Sequence, residues 1–439
     1  MILDFYYRHD RATRWRLLGA VALACVVLII RFNLATVPFA IDFTRYAGYW
    51  LILGTVILYV ATLQQELRAH WPGWKPLLAH WPGLLAALLI AGFWQVHEPH
   101  DFKVLFDEHV LGGIARVMHY EREGAYATFA HFSNGQLVTF GYGVDKRPLM
   151  FPFLVSVLHD LTGFRPANSF VVNGLLSFVL LMLVYGLGTA MSNWKVGCFG
   201  QLLLAGLPLM AQNATGGGFD LLNITAITAF LLAAWSYWRQ PGTGGLNFFV
   251  MSGIVVANCR YESMLFLGVV MALALLKWVR ERQMSLTLLS ALSPLLALPP
   301  LLVNLIFMGG GGGSYFQTAK GNFLNLIHFN DNLVHAGYFL FMPDWDMDNS
   351  VLLSIVGFAG LLLTLLWILR RVVIFVRENN LETPLLLCVL GVLVETFIPL
   401  LSFWGHWDDP MVERFSLPLY IAFVWCAMFA ASRLLRGRT

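Results

Sequence analysis

Twelve apolar stretches run through the 439-residue chain, over residues 15–36, 45–63, 82–97, 168–190, 195–212, 219–238, 246–259, 262–279, 286–307, 350–370, 383–404 and 413–434. A helix needs about 20 apolar residues to cross hydrocarbon, and fewer where protein covers its ends. The pattern predicts an all-α polytopic membrane protein of about twelve transmembrane helices, with 82–97 and 246–259 the shortest. Composition agrees: 58% of residues are hydrophobic, 12% are charged and mean hydropathy is +0.68. A soluble chain carries roughly twice that charged fraction. A water-soluble enzyme and a disordered chain are therefore both excluded, and a net charge of +3 is too small for a nucleic-acid surface.

Lys and Arg near helix ends set the orientation. With a cytoplasmic N-terminus, twelve crossings return the C-terminus to the cytoplasm. The short inner connections then hold 17 of the 28 basic residues, among them Arg8, Arg14, Lys75, Arg239, Arg280, Arg371, Arg377, Arg436 and Arg438. No A-x-A-like cleavage site follows Ile30 before the next apolar run, so the first stretch reads as an anchor. The outer face carries two long loops, 98–167 and 308–349, and function is expected there. Residues 1–81 read as an N-terminal transmembrane hairpin with a cytoplasmic linker, and 82–439 as the main membrane domain. Cys25, Cys198, Cys259, Cys388 and Cys426 lie in or beside apolar segments with no C-x-x-C, as packing residues do. The sequons at Asn213 and Asn223 lie at or in the membrane, where glycan acceptance is not expected.

In the first outer loop, Asp107-Glu108-His109 opens an amphipathic run through Tyr120. On a helix, Asp107, Leu111, Ile114 and Met118 share one stripe, while Glu108, Gly112, Ala115 and His119 share the next. Such a helix lies along the membrane surface and holds a carboxylate pair at headgroup level. Asp145-Lys146-Arg147-Pro148 follows, before an apolar segment from Leu149 to Leu161 that is too short to span. Pro148 suits a first helical turn, which places two cations at a helix N-terminus, a setting that attracts phosphate. Taken singly, Asp107 with Glu108 also fits a helix cap, and Lys146 with Arg147 also fits lipid headgroup contact. The two pairs in one outer loop favour a site.

Asp220, Arg260 with Glu262, and Arg414 lie at the outer ends of helices, where ionisable groups usually face a cavity or each other. Arg260 with Glu262 also fits a structural ion pair, but a place in one outer cavity shared with Asp107 and Lys146 is the preferred reading. The runs Gly216–Gly218 and 309–313 mark helix ends; flexible loop is favoured for the second. His97, His100 and Asp101, and also His406, Asp408 and Asp409, read as solvated loop residues rather than metal ligands, although outer carboxylates attract divalent cations. Segment 322–341 reads as a second interfacial helix with His328 and Asn332 on its polar side.

Asp107-Glu108 with Ala115, Gly124, Asn134-Gly135, Lys146-x-Pro148-Leu149, Leu161-Thr162-Gly163, Tyr185-Gly-Leu-Gly188 and Arg414 to Pro418 occur in an order that resembles the GT-C glycosyltransferases using a polyprenyl-phosphate sugar. The likeness is strongest to the lipid A aminoarabinose transferase and protein O-mannosyltransferase branch, over residues 82–280, and looser beyond. It makes 82–439 a GT-C-like catalytic domain and the first two helices an addition. It implies that Asp107 is the base or orients the acceptor, with Glu108 and Asp220 as further acidic residues of the site. Lys146 is implied to hold the lipid phosphate, although Arg147 stands where the family has the first proline of Lys-Pro-Pro. Arg260 and Arg414 complete the donor side, with His109, His119 and Glu262 around the acceptor. The resemblance implies a glycosyltransferase of a bacterial inner membrane, active on the periplasmic side and monomeric. Its partners are a polyprenyl-phosphate-linked sugar, membrane lipid and an acceptor glycolipid, glycan or protein segment, with no required cofactor and room for a divalent cation. A secondary transporter and a polyprenyl-linked glycan flippase are the competing readings; unequal loops and rim-clustered charges count against the former.

Overall fold

Backbone groups in hydrocarbon must be satisfied within the segment, and the apolar runs of this chain resolve into helices accordingly. The computed structural model describes residues 9–70, 73, 79–309, 326–344, 346–375, 380–403 and 405–436. In chain order the helices are α1 (Arg11–Ile29, continued by a π turn, Ile30–Leu34), α2 (Val37–Ala69), α3 (Trp81–His97) and α4 (Leu105–Glu121). A hairpin of β1 (Tyr126–Ser133) and β2 (Gln136–Gly143) precedes α5 (Met150–Thr162), α6 (Asn168–Met191), α7 (Trp194–Ala205) and α8 (Pro208–Thr215). Then come α9 (Asp220–Arg239), α10 (Thr243–Ala257), α11 (Phe266–Glu281), α12 (Leu288–Leu292) and, after a 3₁₀ turn, α13 (Leu298–Gly309). The last are α14 (Leu326–Phe341), α15 (Val351–Phe375), α16 (Glu382–Ser402) and α17 (Leu417–Arg436), the last preceded by the 3₁₀ turn Glu413–Ser416.

All twelve apolar stretches contain helix, but twelve crossings do not follow. Among the described residues, nine helices are long and apolar enough to cross a membrane, or up to ten if the bent pair of α7 and α8 is one span. α3 and α10 are apolar but only 17 and 15 residues long. The stretch 195–212 breaks because Pro208 has no N–H to continue the helix and holds Leu207 extended (φ −110°, ψ 105°), so α8 leaves α7 at 79°.

Burial sorts the spans. The span at Glu413–Leu435 is 89% buried and that of α9 78%, whereas those of α1 and α2 are 11% and 28% buried and turn most of their apolar surface outward. α15 lies tight against α17: a Cβ on Gly360 would sit 2.7 Å from the Ala427 backbone, the close approach that small residues permit between membrane helices. α2 spans roughly 50 Å at 1.5 Å per residue, packs along α10 and α13, and reaches the segment after α4. There the Arg45 carbonyl accepts from Gly124 N–H at 2.7 Å, and the Arg45 guanidinium pairs with Glu123 at 2.5 Å.

The first long loop holds the expected amphipathic helix, α4, and an element the sequence reading did not foresee. β1 and β2 pair antiparallel from Tyr126↔Gly143 to Ser133↔Gln136, closed by Asn134 (φ 51°) and Gly135 (φ 78°). Positive φ at both turn residues is the two-residue hairpin geometry that Asn-Gly favours. Glu121 ties the hairpin to α4, accepting from Thr139 Oγ1 at 2.7 Å and Tyr142 OH at 2.5 Å.

Two readings of the second long loop fall partly outside the described residues: the glycines after Gly309, and residues 322–325 with the side chain of His328. The same holds for Arg8, Lys75, Arg377 and Arg438, and for the side chains of Arg371 and Arg436. Asn332 departs from its expected place on a polar helix face. It is buried, and its amide donates to the carbonyls of Leu400 (3.1 Å) and Phe403 (2.9 Å), docking α14 on the end of α16.

Candidate active site

α4 begins with two carboxylates in its first turn, the end of a helix where the backbone dipole favours negative charge. Asp107 is half-buried, and each of its oxygens takes a different guanidinium. Arg147 donates to Oδ1, and Arg414 Nη2 donates to Oδ2 at 2.5 Å. Burial favours the neutral acid, but the charges of Arg414 and Arg147 outweigh it and hold the Asp107 carboxyl below the usual carboxylate range.

Arg414 passes the network on. Its Nη1 lies 3.4 Å from Asp220 Oδ2, while Asp220 Oδ1 accepts from Arg260 Nη1 at 2.5 Å and Glu262 Oε2 accepts from Arg260 Nε at 3.1 Å. At the opposite end, Asp145 Oδ1 accepts from Arg147 Nη1 at 2.6 Å. Acid and base thus alternate from Asp145 through Arg147, Asp107, Arg414, Asp220 and Arg260 to Glu262. Asp220 and Arg260 are each about 2% exposed. The Arg260 guanidinium lies 4.8 Å from the centre of the Phe415 ring. Burial pushes the Glu262 carboxyl up against the pull of Arg260. Arg260 and Glu262 therefore pair with each other, the alternative the sequence left open beside a site role, and the same guanidinium also holds Asp220, which joins the pair to the larger chain. Buried ion pairs are poor sources of stability relative to apolar packing, so this connected set is a candidate site rather than a stabilising device.

Glu108, the neighbour of Asp107, is buried on another side of α4. Its Oε2 accepts from Lys103 N–H at 2.7 Å, and Oε1 faces the glycine triplet. A Cβ on Gly216 or Gly218 would meet that oxygen at 3.2 or 3.3 Å, so these glycines allow the carboxylate its close approach. Asn173 fastens the triplet, its amide donating to the carbonyls of Gly216 (2.8 Å) and Gly218 (2.9 Å). Burial pushes the Glu108 carboxyl up to about 7.

The basic pair departs from its expected setting. α5 starts at Met150 with Leu149 as cap, so Lys146 and Arg147 precede the helix. Arg147 N–H instead bonds Asp145 Oδ1 at 2.9 Å in an Asx turn. Arg147 is buried against Asp107, and Lys146 Nζ lies 5.8 Å from the centre of the Phe307 ring. Burial and the neighbouring Arg147 charge lower the Lys146 pKa, opposed by Asp145 and Asp107.

Phe307 also lines a cavity of about 290 Å³, walled chiefly by Met264, Leu265, Leu301, Ile398, Phe403 and Phe415, with Tyr261 and Glu262 at the network side. Arg31 lines it too, a residue the sequence reading passed over. It sits in the π turn after α1, is 8% exposed, and donates to Asn304 Oδ1 at 3.1 Å. An arginine inside an apolar stretch was the available signal. Glu395 was likewise missed; within α16 it accepts from Ser263 Oγ at 2.6 Å and Asn223 at 2.9 Å.

Other expected residues lie apart. His109 is exposed, its ring 4.4 Å from that of Phe102. His119 lies twelve residues along α4 from Asp107, roughly 18 Å by helical rise, and pairs with Asp160 at 2.6 Å. His100 bonds Gln95 at 2.9 Å and Asp101 caps Phe102 N–H at 2.7 Å, so these form local contacts.

No protein-family model and no curated protein matches the chain. Among solved structures it is similar to ArnT from Cupriavidus metallidurans bound to undecaprenyl phosphate, at 14% identity and a TM-score of 0.47, covering 84% of this chain and 61% of that one. It is also similar to the archaeal oligosaccharyltransferase AglB from Archaeoglobus fulgidus in complex with an inhibitory peptide and a dolichol-phosphate, at 12% identity and a TM-score of 0.48, covering 83% and 51%. The chain thus spans about three fifths and one half of the lengths of these neighbours.

Proposed function

We propose that the chain is a membrane glycosyltransferase, moving a sugar from a polyprenyl-phosphate donor to an acceptor hydroxyl on the outer, periplasmic face of a bacterial inner membrane. One observation carries this reading: Asp107 meets Arg147 and Arg414 in a charge network that opens, through Glu262, Tyr261 and Phe415, on an apolar cavity. An anionic head joined to an isoprenoid tail has this division of chemistry. Lys146, Arg147, Arg414 and Arg260 serve the donor phosphate, and the cavity receives the first part of the tail.

The reaction is an inverting displacement. The acceptor oxygen attacks the anomeric carbon, its proton passes to a carboxylate, and the bond to the lipid phosphate breaks with its electron pair leaving on the phosphate. Asp107 is the base. While paired with two guanidiniums it holds a proton poorly. A donor phosphate competes for the same guanidiniums, and each one it takes raises the proton affinity of Asp107. Donor binding thereby readies the base, and the cations released to the phosphate stabilise the leaving group. Asp220 keeps Arg260 and Arg414 in place throughout. The reaction itself calls for no cofactor.

Incubating the purified protein in nanodiscs with a polyprenyl-phosphate sugar and candidate acceptors tests the reading. Consumption of the donor with an inverted product is expected, and Asp107→Asn should lower turnover about 10³-fold. Donor binding without consumption would leave a flippase or scaffold, and a product of retained configuration would remove the displacement mechanism.

A further inference from the structure

We propose that Asp331, His335 and His406 form a binding site for a divalent cation of the zinc class, apart from the charge network and independent of the sugar-transfer reading. Asp331 and His335 are one turn apart on α14 and share a face. His406 comes from the segment after α16. Its Nε2 lies 2.8 Å from Asp331 Oδ2, and His335 Nε2 lies 3.8 Å from Asp331 Oδ1. One donor atom from each of the three residues falls within 4.8 Å of the others.

Two features set this apart from an acidic surface patch. Nε2 of both imidazoles approaches the one Asp331 carboxylate, and the two rings lie side by side with centroids 3.8 Å apart. His335 Nδ1 lies 2.6 Å from Asp408 Oδ2. A proton held there leaves Nε2 with its lone pair, the carboxylate–histidine arrangement that orients metal-bound imidazole. Two imidazole nitrogens and one carboxylate oxygen are the protein ligands of an open four-coordinate zinc site. The nitrogens disfavour calcium and magnesium, which take oxygen. Coordination at about 2.0–2.1 Å draws the donors around one point and opens the ring stack. Asn332 already docks α14 on Leu400 and Phe403. A cation here would pin α14 to the strap that runs from His406 to Arg414.

The test uses the full-length protein, free of any histidine tag, in nanodiscs after chelator treatment. Titration with Zn²⁺ should show one saturable equivalent per chain, and Co²⁺ should bind at the same site with visible ligand-field bands. His406→Gln and Asp331→Asn, both on partly exposed side chains, should weaken binding at least about 100-fold, and Asp408→Asn about 10-fold. Zn²⁺ should raise the unfolding temperature of the parent and not of the first two variants. Absence of a saturable equivalent, or equal affinity in parent and both ligand variants, would overturn the proposal.

Discussion

Arg414 reaches Asp107 and Asp220 at once. Lysine offers a single point charge where the guanidinium forks, so Arg414→Lys should keep the fold while donor turnover falls about 100-fold. Arg414→Ala leaves two carboxylates short of a partner and should cost about 3 kcal/mol of stability. Unchanged turnover in the lysine variant would detach Arg414 from the donor site. Glu108 supplies a pH signature. Its carboxyl titrates near 7 in the folded chain against an ordinary 4.5, so between those values the native state holds a proton that the unfolded chain has released. Stability from this group is present below pH 4.5 and declines as pH rises through 7, by roughly 3 kcal/mol in total. Unfolding midpoints across pH 5–8 should therefore fall with rising pH in the parent, and Glu108→Gln should flatten the slope. Both acids were readable as a pair in the sequence. Their opposite fates were not, because Asp107 owes its depressed pKa to an arginine 307 positions away.

Among the elements, the loop from Gly216 to Gly218 is a seat for Glu108 rather than a hinge. A Cβ at Gly216 meets the Gln212 carbonyl and Lys103 Cγ at 3.1 Å as well as the Glu108 carboxylate. Gly216→Ala should displace α4 by a few tenths of an ångström and reduce turnover about tenfold, with a smaller loss than Arg414→Ala in thermal stability. A variant with parent kinetics would show that the loop yields freely. The π turn after α1 offers a second case. π turns recur at functional sites, and this one sets Arg31 against the cavity wall. Arg31→Met keeps the bulk and removes the charge; the donor KM should rise about tenfold with kcat kept, the pattern of lost uniform binding. A KM equal to the parent's would confine Arg31 to packing. The hairpin was legible in principle, since Asn134-Gly135 between alternating apolar residues is a strong two-residue turn signal.

For the whole molecule, the site residues gather at the end of the bundle that carries α4 and the hairpin, which the topology reading places outside. Single cysteines test this with a membrane-impermeant maleimide on intact cells. His131→Cys on β1 should label from outside, and Gln240→Cys after α9 only once the membrane is opened; the reverse pattern would invert the orientation. Residues 15–36 through 413–434 declared a membrane protein on their own, because apolar length and backbone satisfaction are local properties that each segment carries in its own composition. The amphipathic α4 was equally local, its stripe repeating within one helix. The number of crossings was not, since the run 195–212 bends by 79° at Pro208, and whether runs as short as α3 and α10 cross depends on what covers their ends. Nor was the pairing within the network: Asp107, Arg147, Asp220, Arg260 and Arg414 read as members of one outer site, but they come from five separated stretches, and which acid meets which base was open. Only packing decides which charges meet, because an ion pair depends on a few ångströms of separation in space, and sequence distance says nothing of that.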